Sequence, residues 1–266
     1  MKKVTACFGA ILSLLPLGQP LLIKTGVVLS SSAVMLSIPE NALAKNADYY
    51  FDRAYEKAEN GDHYGAIADY TKAIELDPKD DYSYHNRGVA RENLGKCYEA
   101  ISDYIKAIEI KADRPTSYHG IGYCKSELGD YDGAKIAFSK AIELDPKYVS
   151  AYNNLGDAKS NLKDHYGAIS DFTKAIEIEP NYAESYFNRG NSKASLEDHY
   201  GAISDFTKAI EINPNRVNEY INRGRSYYSL NDKGRACEDF KKAVFLGSTS
   251  TEEWLNSDGG SWCRNI

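Results

Sequence analysis

The segment DHYGAISDFTKAIEIEP occupies residues 164–180, and DHYGAISDFTKAIEINP occupies residues 198–214. The two segments begin 34 residues apart and differ at one position, where Glu179 corresponds to Asn213. Self-similarity at a fixed period of about 20 to 50 residues is the sequence signature of a repeat protein. We therefore expect the chain to consist of copies of one structural unit of this length.

The same spacing extends outward from these two segments over most of the chain. Units of 34 residues that begin at Ala47 run without insertions to Ser250, and we number residues within a unit as places 1 to 34. Alanine recurs at places 20 and 27, an aromatic residue at place 24, tyrosine at place 4 and a small residue at place 8. The six repeats are numbered 1 to 6 and span residues 47–80, 81–114, 115–148, 149–182, 183–216 and 217–250.

This pattern predicts two helices per repeat. Places 20, 24 and 27 lie on one stripe of a helix. Small residues at places 8, 20 and 27 allow two antiparallel helices to approach closely, and the aromatic residues fill the gaps beside them. A proline at place 32 ends the second helix, because it cannot continue one. Four repeats carry this proline, namely Pro78, Pro146, Pro180 and Pro214.

The pattern resembles the tetratricopeptide repeat, a family with this period and this order of small and aromatic residues. The resemblance implies an all-α fold, a right-handed α-solenoid superhelix of six helix-turn-helix units with a short C-terminal capping helix. Residues 251–266 are the expected cap and tail, and residues 259–264 resemble the ends of exported cyanobacterial and bacterial repeat proteins. Place 7 is a mild departure, since arginine replaces the usual leucine at Arg53, Arg87, Arg189 and Arg223.

The first 44 residues differ in composition from the repeats. They begin with two lysines, continue with two apolar stretches and end in Ala42-Leu43-Ala44, a small-x-small cleavage signal. We expect a signal peptide cut after Ala44, and therefore a protein exported to the periplasm or the thylakoid lumen. The alternative is an uncleaved membrane anchor built on residues 4–23, which would leave the repeats facing that compartment.

Bulk properties argue against several classes of function. The net charge of −6 disfavours a nucleic-acid partner, since phosphate binding needs a basic surface. No nucleophile, metal-ligand or phosphate-loop motif is present, so we expect no enzyme activity, no metal and no cofactor. The histidines fall at equivalent places of different repeats, about 10 Å or more apart, which is too far for a shared zinc ion.

Four cysteines follow the first 44 residues: Cys97, Cys124, Cys237 and Cys263. An antiparallel cap would bring residues near position 260 opposite Cys237 in the second helix of repeat 6. We therefore favour a Cys237–Cys263 disulfide, which an oxidising compartment would permit. Cys97 and Cys124 are expected to be buried free thiols.

In the tetratricopeptide family the first helices line a concave groove, and the resemblance assigns the candidate site to them. Asparagine recurs at place 6 and resembles a ladder of amides that holds an extended peptide by its backbone. The alternative is that asparagine is simply the common repeat residue there, favouring solubility. The candidate groove residues are Phe51, His85, Asn86, His119, Tyr123, Asn153, Asn154, Phe187, Asn188, Asn191 and Asn222.

The sequence thus predicts a protein–protein interaction scaffold that binds a peptide or helix of an unidentified partner. The resemblance and the export signal together suggest a role in assembling an envelope or photosynthetic membrane complex. Place 5 carries no lysine, so the carboxylate clamp of the family's chaperone-tail receptors is absent. Two alternatives remain, the substrate-recruiting subunit of an enzyme complex and a self-associating structural protein.

Overall fold

The computed structural model describes residues 46–265. The expected signal peptide or membrane anchor, residues 1–44, lies outside the described residues. Within residues 46–265, no helix is both long enough and apolar enough to cross a membrane. Whether the N-terminal segment is cleaved or retained stays a prediction.

Residues 46–265 form six helix pairs followed by a short helix and a 3₁₀ turn, with no β-strand. The first helices of the pairs are α1 (Ala47–Glu59), α3 (Asp81–Asn93), α5 (Pro115–Glu127), α7 (Val149–Asn161), α9 (Ala183–Ser195) and α11 (Val217–Ser229). The second helices are α2 (His63–Leu76), α4 (Cys97–Ile110), α6 (Tyr131–Leu144), α8 (His165–Ile178), α10 (His199–Ile212) and α12 (Lys233–Phe245). The chain ends in α13 (Thr249–Asn256) and the turn Ser261–Asn265. Each helix packs mainly on its neighbours in sequence, which confirms the all-α solenoid.

A tight turn joins the two helices of each repeat. Place 15 has a left-handed backbone in all six repeats, and the residues are Gly61, Gly95, Gly129, Lys163, Glu197 and Asn231. An aspartate at place 16 then caps the second helix in five repeats, as when the Asp164 carboxylate accepts the backbone N–H of Gly167 at 2.9 Å. Such a cap contributes about 1 kcal/mol to helix stability.

The core is built from the alanines and aromatic residues of the repeat pattern. Every alanine at places 20 and 27 is fully buried, and the rings at place 24 are at most 5% exposed. The glycine at place 8 lets its helix lie directly on that ring. A Cβ atom on Gly156 would come within 2.7 Å of Phe172, closer than real carbon contacts allow. The periodic residues of the sequence are therefore the packing residues of the solenoid.

An ion pair, which we call the seam, links the two helices of four repeats. In repeat 2, Arg87 donates to both carboxylate oxygens of Asp103 at 2.9 and 2.7 Å, and to Thr71 of the preceding repeat at 3.0 Å. Asp103 is 2% exposed, so its charge needs this bidentate partner. The equivalent pairs are Arg53–Asp69, Arg189–Asp205 and Arg223–Asp239. The arginine at place 7 thus joins the two helices of its own repeat through the aspartate. In repeats 2, 5 and 6 it also joins its repeat to the preceding one through a threonine.

Repeats 3 and 4 lack this seam. Repeat 3 carries Ile121 and Ala137 at places 7 and 23, so both charges are replaced together by apolar residues. Repeat 4 carries Leu155 opposite Asp171, whose carboxylate pairs with Lys159 at 2.6 Å. Burial raises the pKa of Asp171, and the hydrogen bond from Lys159 opposes that rise. The centre of the solenoid therefore packs with fewer ion pairs than its ends.

A cap covers the last repeat. Cys237 of α12 and Cys263 of the 3₁₀ turn form a disulfide, with their Cα atoms 5.4 Å apart. Trp254 and Trp262 pack against Phe240, with ring centroids 5.1 and 6.5 Å away. Cys97 and Cys124 are buried and free. The cap is thus fixed to the last repeat by one covalent bond and a cluster of aromatic rings.

Candidate functional site

The first helices carry a row of hydrogen bonds that we call the lateral ladder. The asparagine at place 6 of repeats 4, 5 and 6 donates an amide hydrogen to a side chain of the repeat before it. The pairs are Asn154 to His119 (2.9 Å), Asn188 to Asn153 (3.3 Å) and Asn222 to Asn191 (2.8 Å). The structure therefore brings six of the candidate groove residues into three contacts between neighbouring repeats.

Asn153 lies inside the solenoid. Its side chain is 1% exposed, and its oxygen accepts hydrogen bonds from Ser185 at 2.9 Å and from Asn188. Buried amides need such partners, because an unpaired polar group in the interior costs about 1 to 3 kcal/mol. Asn153 thus connects two repeats and positions Asn188, and it presents no surface to a ligand.

His85 and His119 occupy place 5 and are partly buried against aromatic rings. Their ring centroids lie 5.5 Å from those of Tyr104 and Phe138, respectively. Burial lowers the pKa of both imidazoles to about 4, and the charge of Arg114 contributes at His85. Both rings are therefore neutral at pH 7, and the Nε2 atom of His119 accepts the hydrogen bond from Asn154.

The remaining candidates divide between buried packing and open surface. Phe51 and Phe187 pack edge-on or tilted against Tyr70 and Phe206 of the second helices, with centroids 5.6 and 5.8 Å apart. Tyr123 is 39% exposed and is the most accessible of the candidate aromatic residues. Asn86 is partly buried. The candidate aromatic residues therefore contribute mainly to packing, and Tyr123 is the exception.

Two depressions lie on the first helices of repeats 5 and 6. One has a volume of about 220 Å³ and includes Phe187, Asn188 and Glu219 in its lining. The other, of about 320 Å³, includes Asn191, Asn222 and Arg225. Each contains ladder asparagines, so the hydrogen-bonding groups of the ladder lie at concave surface where a peptide has room to bind.

Glu219 is a buried carboxylate that the repeat pattern did not indicate. It stands at place 3, where the other repeats carry tyrosine, serine or alanine, and it is 1% exposed. Burial raises the pKa of Glu219, while Arg216, whose Nε lies 3.6 Å from the carboxylate, opposes that rise. The signal available in the sequence was its departure from the residue type shared by place 3.

No group of three or more histidine, cysteine or acidic side chains among the described residues is arranged to hold a metal ion. The polar groups at and around the candidate residues on the first helices are amides, neutral imidazoles and a few charged side chains. They are suited to hydrogen bonding with a ligand.

Comparison with known proteins gives consistent matches along the chain. Family models described as "TPR repeat" match residues 54–95 and 126–163. Models described as "Tetratricopeptide repeat" match residues 149–182 and 183–216, and a further one matches residues 82–114 and 220–244. No curated protein sequence gives a significant match.

Solved structures with similar folds include three that cover most of their own length. YrrB, described as a TPR protein with an unusual peptide-binding site, is 24% identical over 70% of this chain and 97% of its own, with a TM-score of 0.59. MamA is 25% identical over 62% of this chain and 96% of its own, with a TM-score of 0.57. PilW, described as a type IV pilus biogenesis factor, is 18% identical over 79% of this chain and 98% of its own, with a TM-score of 0.70.

Proposed function

Because the chain belongs to the tetratricopeptide repeat family, we propose that it is an interaction scaffold whose first helices bind an extended peptide segment of a partner protein. The observation that carries this proposal is the lateral ladder. A primary amide has two N–H donors and an acceptor oxygen, and the ladder uses one of the donors. Asn154, Asn188 and Asn222 thus each retain a donor and acceptor capacity while their positions are fixed.

The spacing of the ladder suits a peptide backbone. Neighbouring helices lie about 8 to 10 Å apart, and an extended peptide advances about 3.3 Å per residue. A bound peptide would therefore meet one asparagine about every third residue. Because the amide pairs with backbone groups, affinity for the main chain would not depend on one particular sequence.

Related folds support the same class of ligand. YrrB is described as having a peptide-binding site, and we infer a peptide ligand for this chain as well. The surface here has its own composition, in which the buried Asn153 and the neutral His119 accept the hydrogen bonds of Asn188 and Asn154. The proposal therefore rests on this chain's ladder, and the YrrB comparison supports it at the level of the fold.

We further propose an exported protein that acts in the periplasm or the thylakoid lumen in assembling an envelope or photosynthetic membrane complex. The Cys237–Cys263 disulfide supports this location, since such bonds persist in oxidising compartments. PilW, which has a similar fold, is described as a biogenesis factor for type IV pili, an envelope structure. Cell fractionation tests the location, and recovery of the protein in the cytosol would contradict it.

A pull-down from envelope extract tests the groove. The bait is the wild-type chain beside a variant with Asn154→Ala, Asn188→Ala and Asn222→Ala, each checked for helicity by circular dichroism. We expect the variant to lose the partners that wild type retains. A matched control replaces three exposed asparagines in the loops between repeats with alanine, namely Asn181, Asn213 and Asn215. Equal capture by wild type and the ladder variant would refute the proposal.

A further inference from the structure

A cavity of about 450 Å³ lies between the last repeat and the cap, and we call it the cap pocket. Helix α11 contributes Ile221, Arg225, Tyr228 and Ser229, helix α12 contributes Phe240, and helix α13 contributes Ser250, Thr251 and Trp254. Binding sites for side chains and small ligands are concave, mostly apolar and of about 300 to 1,000 Å³. The cap pocket has this size and this kind of lining.

The cap pocket exists because α13 is short. Each first helix in the repeats has 13 residues, whereas α13 has 8. The missing five residues amount to more than one helical turn of about 3.6 residues. That turn would cover the end of α11, where Tyr228 and Ser229 lie. Trp262 of the tail covers part of this surface by stacking on Tyr228 with centroids 5.2 Å apart, and the remainder stays open.

Aromatic rings form the walls of the cap pocket. Tyr228 is 47% exposed and Trp254 is 38% exposed, and together with Ile221 and Phe240 they form the apolar part of the lining. Place 12 carries an aromatic residue in repeat 6 alone, where the other repeats have alanine, serine or glutamate. Exposed aromatic walls around a cavity offer a large apolar side chain the contact area that burial requires.

Arg225 supplies the charge of the cap pocket. Its guanidinium donates to Asn222 Oδ1 at 3.3 Å, and it forms no ion pair with any acidic residue that the structure describes. Place 9 carries no other cation, since repeats 1 to 5 have Tyr55, Val89, Tyr123, Asp157 and Asn191 there. An arginine in this setting is complementary to a carboxylate, which it can bind through two parallel hydrogen bonds.

The cap pocket continues into the neighbouring depression on the groove. Arg225 and Ser229 line both cavities, and the second one also contains Asn191 and Asn222 of the lateral ladder. A chain that lies along the ladder would therefore reach the cap pocket without leaving the surface, and Arg225 would stand between the two cavities. This continuity favours an extended peptide over an isolated small molecule as the ligand.

We propose that the cap pocket binds a large apolar side chain of a partner peptide, and that Arg225 binds an acidic side chain two positions away in the same segment. In an extended chain, residues two positions apart point to the same side about 7 Å from each other. The proposal deepens the groove function and rests on it. It assigns to repeat 6 the sequence preference that the backbone-binding ladder does not provide.

The two tryptophans of the chain, Trp254 and Trp262, both belong to the cap, so tryptophan fluorescence reports on this pocket alone. The probe is the peptide Gly-Ser-Phe-Ser-Glu-Ser-Gly, blocked at both ends and titrated against the oxidised protein. We expect a saturable change in fluorescence. Replacing the glutamate of the probe with glutamine should weaken binding about tenfold, and replacing its phenylalanine with alanine should abolish the change.

The Arg225→Gln variant should bind the glutamate and glutamine probes equally. Arg235→Gln is the matched control, since Arg235 is an exposed arginine of the same repeat that pairs with Asp232 outside the pocket, and it should keep the tenfold preference. An absence of any fluorescence change, or an undiminished preference in Arg225→Gln, would refute the proposal. So would tighter binding of an unblocked probe that ends in phenylalanine and lacks glutamate, because it would show that a chain terminus is the ligand.

These outcomes are separable from a failure of the groove itself. If ladder variants lose partners in the pull-down while the probe leaves tryptophan fluorescence unchanged, the proposed groove function is supported and the proposed role of the cap pocket is refuted. If the probe binds and the ladder variants capture partners normally, the pocket stands and the ladder is a structural feature.

Discussion

At the scale of single residues, the glycine at place 8 shows how closely helix spacing depends on one atom. In repeats 2 to 6 it faces the ring at place 24, and a Cβ there would overlap that ring. Glycine inside a helix costs about 1 kcal/mol relative to alanine, so its presence requires a compensating gain. The gain is direct packing of the first helix on a fully buried aromatic ring.

A pair of glycine substitutions tests this reading. Gly156→Leu forces a side chain against Phe172 and should lower the free energy of unfolding by about 3 kcal/mol. Gly234→Leu is the control, because a Cβ there would meet only Asp232 at 3.8 Å, and its free energy of unfolding should match that of wild type or exceed it by up to about 1 kcal/mol. Chemical denaturation followed by circular dichroism measures both. Equal effects of the two substitutions would contradict the packing argument.

The buried, neutral imidazoles of His85 and His119 predict a dependence of stability on pH. Burial lowers the pKa of His85 and His119 from 6.5 to about 4. Between these values the unfolded chain binds protons that the folded chain does not, so stability is full above pH 6.5 and falls as pH drops towards 4. Thermal unfolding from pH 7 to pH 4 should show this loss. A His85→Gln, His119→Gln variant should show a shallower dependence, and an unchanged slope would remove the histidines as its cause.

At the scale of helices, the seam determines how the two helices of a repeat are joined. Where place 7 is arginine, place 23 is aspartate, and where repeat 3 has Ile121 its partner is Ala137. A buried aspartate without its arginine is costly, because a lone charge leaves water without compensation. The two places change together in repeat 3, whereas in repeat 4 Asp171 opposite Leu155 keeps its charge because Lys159 pairs with it. An arginine at place 7 without its aspartate should therefore be more harmful than the pair.

A double-mutant cycle in repeat 3 tests this coupling. Ile121→Arg alone should destabilise the chain by about 2 to 4 kcal/mol, since it introduces an unpaired charge into a buried contact. Ala137→Asp alone should cost less, because Lys125 occupies the place from which Lys159 pairs with Asp171 in repeat 4. The double variant should recover at least about 1 kcal/mol of the summed loss by forming the seam of the other repeats. The measurement is the free energy of unfolding for all four chains. Strictly additive effects would show that the seam cannot form in repeat 3.

The fold and part of the seam could be predicted from the sequence, whereas two buried polar residues could not. The fold followed from residues that recur at fixed places, since Ala66, Phe172 and their equivalents each have one role in every repeat. The spacing of 16 residues between Arg87 and Asp103 recurs in four repeats and was available as a signal. The sequence contains no such signal for the burial of Asn153 and Glu219, because that burial depends on contacts between neighbouring repeats. The 34-residue period alone does not determine those contacts.

At the scale of the whole molecule, repeats 4, 5 and 6 are joined by equivalent contacts. Helices α8 and α10 have the same 14-residue sequence, and Arg189 and Arg223 contact Thr173 and Thr207 in the same way, at 3.0 and 3.1 Å. Each repeat thus presents nearly the same surface to the next at the boundaries between repeats 4, 5 and 6. The stability of such an array is about the sum of its repeats and their interfaces.

Deletion of repeat 5, residues 183–216, should therefore yield a folded chain. Arg223 would donate to Thr173 in place of Thr207, so the hydrogen bond that links place 7 to the preceding repeat would form across the new junction. We expect helicity per residue to match wild type and the unfolding transition to stay cooperative, both measured by circular dichroism. Deletion of residues 183–198 is the control, because it removes helix α9 and its turn and leaves the second helices α8 and α10 consecutive. It breaks the 34-residue register and should cost the chain its cooperative unfolding.

The near identity of residues 164–180 and 198–214 also has a consequence for heredity. DNA that encodes the same 14-residue helix twice, 34 codons apart, offers two matching targets for unequal recombination. A crossover between them would remove or add one whole unit in a single event and keep the reading frame. Descendants of this gene would then differ in the number of repeats, and the length of the surface formed by the first helices would change in steps of one unit.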